Sequence, residues 1–184
     1  MQLRSVRSDR RGYSLGELLW VIVILGIMAA LAIPRLDWMK YRLNAESRNM
    51  SLQMTYAQRL AVSLQHNVRV TIDPAQRRLI VDEDANNDDT YTAGERRRVL
   101  QLDDGLNFEK NGVADLPSPS PTKEVTQVIY RRDGSADQAG VIFLNTIRGV
   151  AMSSNQDARA LEIARATGRA TIYRYLNSTW IKGT

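Results

Sequence analysis

The stretch from Leu18 to Ile33, LLWVIVILGIMAALAI, carries no charge, and no other segment constrains the chain as tightly. Extended back to Tyr13 it holds a single charged residue, Glu17. A helix of about 20 residues spans the ~30 Å hydrocarbon core of a bilayer, so residues 13–33 read as a membrane span. Four arginines precede it, Arg4, Arg7, Arg10 and Arg11, against Asp9. They supply a net +3 of the chain's +5. Basic residues before a span favour a cytoplasmic N-terminus. They also localise the basicity, which weakens a reading of the whole chain as a nucleic-acid binder.

Three readings of this segment compete. A secretory signal would use Ala30–Ala32 as its small-residue cleavage site and start the mature chain at Ile33, but Glu17 would then open its apolar core. A plain anchor accounts for the length and leaves Glu17 unexplained. A carboxylate in lipid costs a few kcal/mol at least. The third reading rests on the ordered stretch RRG–YSLGELL itself, in which Glu17 stands one helical turn after Tyr13, and on the family resemblance that those residues carry.

Beyond Ile33 the pattern becomes amphipathic. Leu43, Met50, Met54, Ala57, Ala61 and Leu64 recur at helical spacing between Arg42, Glu46, Arg48 and Arg59. A helix from about Tyr13 to His66 would measure roughly 80 Å. Pro34 removes a backbone donor and sets a kink, and Gly26 is a second weak point. From Asn67 the period changes to two. Strands are expected at 68–72, 77–83, 97–102, 125–132, 140–146, 160–166 and 169–175, the last two joined by a Thr167–Gly168 turn. The Pro/Ser segment 116–124 reads as an extended, exposed loop. The expected class is α+β: a long N-terminal helix, membrane-spanning in its first half, packed on an antiparallel β-sandwich or sheet domain. The expected organisation is a leader at 1–12, a helix at 13–66 with its span at 13–33, and a β-rich domain at 67–184.

The chemistry-bearing residues are few. There is no cysteine and one histidine, His66, which reads as a helix-end or loop residue. Neither thiolate chemistry nor a typical zinc site is available. No phosphate loop or nucleophile elbow is present, so no enzyme is expected. Asp84, Asn86, Asp88, Thr90, Thr92 and Glu95 fall at positions 1, 3, 5, 7, 9 and 12 of a calcium loop. Asp89 stands where that loop prefers glycine, and the flanks read as strands rather than helices. The alternative is a solvated acidic hairpin loop, so Ca²⁺ remains one option of two. Arginines recur at 96–98, 131–132, 165, 169 and 174. Arg169 and Arg174, with Tyr173 and Tyr175, offer cations and rings for a nucleic acid, against the simpler reading of solvated strand faces.

RRG–YSLGELL resembles the prepilin peptidase site of type IV pilins and type II secretion pseudopilins. Gly12, Tyr13 and Glu17 fill its three marked positions, Tyr13 standing for the usual Phe. Pro34 matches a proline common in the pilin helix. The helix-then-sheet layout and Gly168–Arg169 in the final turn resemble the GspH/FimT-type minor pilins and type II secretion minor pseudopilins. The resemblance implies cleavage after Gly12, N-methylation of Tyr13 and an assembly role for Glu17. It implies a structural protein that initiates or caps a filament in a bacterial inner membrane, its C-terminal domain periplasmic or extracellular. The implied partners are other pilin or pseudopilin subunits, the prepilin peptidase, the inner-membrane assembly platform and the membrane. Related minor pilins in DNA-uptake systems hold DNA through C-terminal basic residues; this turn reads GRAT, without a second arginine beside Arg169.

Overall fold

The structure, a computed structural model, describes residues 13–32, 38–117, 119–151 and 158–183. The chain divides into two compact units, Met1–Asp37 and Trp38–Thr184. The described part of the first unit is helix α1, Leu15–Ala32, which continues through Gly26 without a break. Its 18 residues rise roughly 27 Å, a few Å short of the ~30 Å hydrocarbon core. Among the described residues no helix is long and apolar enough to cross a membrane. The span expected at 13–33 is therefore present only as this shorter helix, and Ile33 lies outside the described residues. Pro34 does too, and with it the expected kink. The single helix expected from Tyr13 to His66 is described as two.

The second helix, α2, runs from Trp38 to Leu64 and contains neither glycine nor proline. Its buried residues are Leu43, Ser47, Met50, Gln53, Met54, Ala57 and Ala61, one stripe at helical spacing. The helix stops where Gln65 turns left-handed, at φ 58°. The Gln65 side chain then donates to the Val62 carbonyl at 2.7 Å, satisfying one of the carbonyls that a helix end leaves open. His66 follows in the bend before the first strand, as a helix-end residue.

Nine strands form two antiparallel sheets among the described residues. In the first, β1 (Asn67–Asp73) pairs with β2 (Arg78–Asp84) and with β5 (Gln127–Tyr130), and β3 (Arg97–Gln101) lies at the edge beyond β2. In the second, the order is β4 (Leu106–Asn107), β6 (Gly140–Thr146), β7 (Arg159–Ile163), β8 (Ala170–Leu176) and β9 (Thr179–Lys182). A short helix, α3 (Ile147–Ala151), follows β6. The seven expected strands are all present. The β8–β9 hairpin was not expected: its two-residue turn is Asn177–Ser178, both at positive φ (49° and 61°), without the glycine that usually marks such turns.

The expected packing of a helix on antiparallel sheets is present. The inner faces of the two sheets are covered by α2, which contacts β1, β5, β6, β7 and β8. One core cluster unites Leu43, Met50, Met54, Ala57 and Ala61 with Val68, Val70 and Val128 of one sheet and Ile142, Leu144, Leu161 and Ile163 of the other. The sheets meet at an edge, where Val125 N–H donates to the Val141 carbonyl at 3.1 Å and Val141 N–H to the Lys123 carbonyl at 2.9 Å. The outer face of the second sheet has its own cluster of Phe143, Tyr175, Trp180, Val113 and Leu116. The Trp180 indole donates to the Ala114 carbonyl at 2.9 Å, tying residues 113–116 over that face. Strand β6 is consequently buried at every position. The loop expected to be exposed from residue 116 thus begins with a core residue, Leu116.

A polar lock joins α2 to two turns. The Gln58 amide donates to the carbonyls of Gly134 (2.7 Å) and Thr167 (2.5 Å). Gly168 lies in the same knot at φ +61°. A Cβ there would sit 2.2 Å from the Gly134 carbonyl oxygen and 2.7 Å from the Gln58 nitrogen. Only glycine fits, on both conformational and steric grounds. Gly168→Ala is expected to destabilise the protein by about 2 kcal/mol or more. Denaturant unfolding measures this; a loss under about 0.5 kcal/mol would show that the knot is slack.

Candidate functional site

The residues singled out in the sequence fall into three places. The first is the start of α1. Gly12 lies outside the described residues, and Tyr13 and Ser14 immediately precede the helix. Ser14 Oγ accepts a hydrogen bond from Glu17 N–H at 3.2 Å, and Glu17 Oε2 accepts one from Ser14 N–H at 3.0 Å. This is a reciprocal capping box, in which two otherwise orphaned backbone donors are satisfied. The S-x-x-E spacing of Ser14 and Glu17 announces it, and the sequence reading above passed over it. The Glu17 carboxylate therefore has a local partner. Its second oxygen, Oε1, accepts no hydrogen bond among the described residues.

The second place is the acidic loop between β2 and β3. Both oxygens of the buried Asp84 carboxylate are committed, to Asp88 N–H (3.0 Å) and Asp89 N–H (2.9 Å). Glu95 closes the loop from the other side, accepting from Ala85 N–H (2.9 Å) and Thr92 N–H (2.8 Å). Asp88 accepts from the Thr90 amide and hydroxyl, each at 2.8 Å, and from the Asn86 side-chain amide at 2.8 Å. Asp89, at the position where glycine was expected, adopts the left-handed conformation at φ 58°, as does Asn87 at φ 57°. Asn87 Oδ1 accepts from Asn67 N–H at 3.0 Å and anchors the loop beside the C-terminal end of α2. Among the described residues no group of three acidic, histidine or cysteine side chains is placed to hold a metal. The candidate ligands Asp84, Asn86, Asp88, Thr90 and Glu95 share one loop, in which the carboxylates of Asp84, Asp88 and Glu95 accept hydrogen bonds from the loop's own backbone amides.

The neighbouring arginines are largely structural. Arg97 makes a two-pronged pair with the buried Asp82 carboxylate, at 2.6 and 2.9 Å, and lies 3.7 Å from the centroid of the Tyr91 ring. Hydrogen bonding to Asp82 holds the Arg97 guanidinium above its ordinary pKa. Arg98 lies over the Tyr56 ring at 5.3 Å.

The third place is on β8. Arg169 and Arg174 line one cleft against α2. The two tyrosines do not join them. Alternation along β8 puts Ala170 and Ile172 against the α2 core and Tyr173 and Tyr175 against the outer cluster. Tyr175 is buried and packs edge-on against Trp180 at a centroid distance of 4.9 Å. The expected alliance of cations and stacking rings is therefore split between the two faces of the sheet. The cleft instead gains Arg48 from α2 and Lys182 from the end of β9. Lys182 belongs to the hairpin that the sequence concealed, and Arg48 reaches the cleft only through the packing of α2.

Two outcomes follow. Arg97→Ala leaves the Asp82 carboxylate buried without its cation and should cost roughly 1–3 kcal/mol in denaturant unfolding, less than a fully buried pair because the guanidinium is 39% exposed. An unchanged midpoint would mean that the pair is only decorative. The carboxyls of Asp88 and Glu95 lie below their ordinary values of 3.8 and 4.5, chiefly through hydrogen bonds from Thr90 to the first and from the Thr92 amide to the second. A depressed carboxyl stabilises the fold above its unfolded value and loses that contribution as the pH falls through its folded value. The loop should be fully ordered above pH 4.5 and loosen on acidification below these ordinary values. NMR titration of the Thr90 and Thr92 amides reads this directly; inflections at or above the ordinary values would contradict the hydrogen bonding.

No family model matches the chain. The pilin-like protein PilA1 of Thermus thermophilus is 29% identical over 147 residues, covering 72% of this chain and 93% of that protein. The minor pseudopilin EpsH of the type 2 secretion system of Vibrio cholerae aligns in structure with a TM-score of 0.50, at 12% identity, over 72% of this chain and 97% of that one. In sequence the chain is similar to a pilin-like protein, and in fold it is similar to a minor pseudopilin.

Proposed function

We propose that the chain is a structural subunit of a type IV pilin-like filament, a minor pilin or minor pseudopilin that helps to initiate or cap it. The carrying observation is a coincidence within one chain. The leader pattern Gly12–Tyr13…Glu17 precedes an apolar helix, and the unit that follows has the helix-on-sheets architecture of a pseudopilin. In this reading the leader 1–12 is removed after Gly12 by a prepilin peptidase and the Tyr13 amine is methylated. Residues 13–33 rest in the inner membrane until assembly, and the Trp38–Thr184 unit is periplasmic or extracellular in the filament. The surface of α1 supports a lipid or protein environment: Leu18, Trp20, Ile22, Leu25 and Met28 are each more than half exposed, and an all-round apolar helix in water is unfavourable. The partners are other filament subunits, the peptidase and the membrane assembly platform.

Glu17 then has two duties that its two oxygens divide. Oε2 caps its own helix, and cutting before Tyr13 leaves that contact intact because Ser14 remains. Oε1 is left to accept the charged amine of a neighbouring subunit. A carboxylate in an apolar filament core is relieved only when that amine arrives at the right height, which selects the axial register.

The test separates capping from charge. Glu17→Gln keeps the capping geometry and removes the charge, whereas Glu17→Ala removes both. Glu17→Gln should preserve helix content by circular dichroism and lower incorporation into filaments by about tenfold or more, equivalent to about 1.4 kcal/mol. Wild-type incorporation of Glu17→Gln would discard the charge-pairing role. Mass spectrometry of the assembled subunit should find N-methyl-Tyr13 at the N-terminus; a start at Ile33 or an intact Met1 would overturn the filament reading.

A further inference from the structure

The cleft between the first half of α2 and the β8–β9 hairpin has a volume of about 310 Å³. Four cations line it: Arg48, Arg169, Arg174 and Lys182. No acidic and no aromatic residue is among its lining residues. None of the four cations takes part in an ion pair among the described residues. Elsewhere in the same unit Arg42, Arg78, Arg97 and Lys110 are each matched to an aspartate. Four unmatched like charges around one cavity repel one another, and an anion placed among them is attracted by all four.

The elements that bring the cations together are fixed by packing. On α2, Asn44, Ser47, Arg48 and Ser51 follow the i, i+3, i+4, i+7 spacing of a single face, and all four line the cleft. Arg169 directly follows Gly168, whose place in the Gln58 lock leaves no freedom. Gly183 N–H donates to the Ile172 carbonyl at 2.7 Å and holds the end of β9, with Lys182, at the mouth. The Ser51 hydroxyl makes no hydrogen bond among the described residues and adds a neutral donor.

We propose that this cleft is a binding site for a compact multivalent oxyanion of the phosphate class. Guanidinium forks match phosphate oxygens two at a time, and three arginines converge here. The volume lies at the small end of ligand cavities, which suits a short phosphate chain or a phosphomonoester headgroup rather than a whole nucleotide. The absence of aromatic residues in the lining gives the cleft nothing to stack a base upon. The site is independent of the filament reading, since it lies wholly within the Trp38–Thr184 unit.

The experiment uses the full chain in non-ionic detergent and titrates sodium tripolyphosphate by calorimetry at near-physiological salt. The expected result is saturable one-to-one binding, weakened about tenfold or more by Arg48→Gln and by Arg174→Gln and unchanged by Arg59→Gln, an exposed α2 arginine that does not line the cleft. These exposed substitutions spare the core, and circular dichroism confirms the fold of each. Flotation with neutral vesicles, with or without phosphatidic acid, identifies the source. Vesicle binding that tripolyphosphate competes away marks a lipid phosphomonoester; tripolyphosphate binding without vesicle binding marks a free phosphate. Both results support the site. Absence of saturable binding, or equal weakening by all three substitutions, overturns it. So does a single-stranded DNA affinity that rises with strand length and is insensitive to tripolyphosphate, which would mark a diffuse nucleic-acid surface.

Discussion

The structure depends on one buried stripe of α2. Leu43, Met50, Met54, Ala57 and Ala61 are fully shielded from water, and strands of both sheets supply their neighbours. Among the described residues α2 contacts strands of both sheets, and it is the layer against which each becomes half-buried. Two of the stripe residues are alanines, which let the strands approach the helix backbone closely, and two are methionines, whose flexible chains fill the irregular wedge between the sheets. The polar lock at Gln58 sits beside Ala57 on the same helix. It converts a non-directional hydrophobic contact into a specific one, because two turn carbonyls from distant parts of the chain must meet one amide.

This arrangement gives the two halves of α2 different surroundings. Beside its C-terminal end the acidic loop commits the carboxylates of Asp84 and Glu95 to its own backbone amides, and Arg97 matches Asp82 of the adjoining strand β2. Along its first half, Arg42 is matched by Asp103 and the buried Arg159 by Asn44, whereas Arg48 faces a cleft whose cations have no acidic neighbour in the lining. A basic residue in this protein is thus interpretable only by its partners. Arg97 and Arg174 are both exposed arginines on strands, yet one completes a buried pair and the other borders an open cavity.

Much of the fold was readable from residue order alone. The apolar stripe of α2 has a period that only a helix satisfies. The seven alternating segments after Asn67 became strands because the same period that hides one face of a strand exposes the other. Other elements lacked such a signal. Strand β9 has four residues and a turn without glycine; β4 has two residues, too few for a pattern. The capping box at Ser14 and Glu17 was legible in its S-x-x-E spacing. The 84–95 loop was legible as an acidic segment between strands, but the left-handed turns at Asn87 and Asp89 that shape it depend on backbone angles that residue spacing does not specify.

By itself the sequence determined what is local: where the chain is apolar, where the period changes from helix to strand, where Gly168 must turn, and the leader pattern around Gly12, Tyr13 and Glu17. These follow from short-range sterics and from transfer of side chains out of water, which each segment expresses on its own. The tertiary structure decided what is shared: that one helix serves two sheets, that Tyr173 and Tyr175 turn away from Arg174, and that Arg48, Arg169, Arg174 and Lys182 surround one cavity. Arg48 and Arg174 stand far apart in the chain, and only the packing of α2 across β8 makes them neighbours.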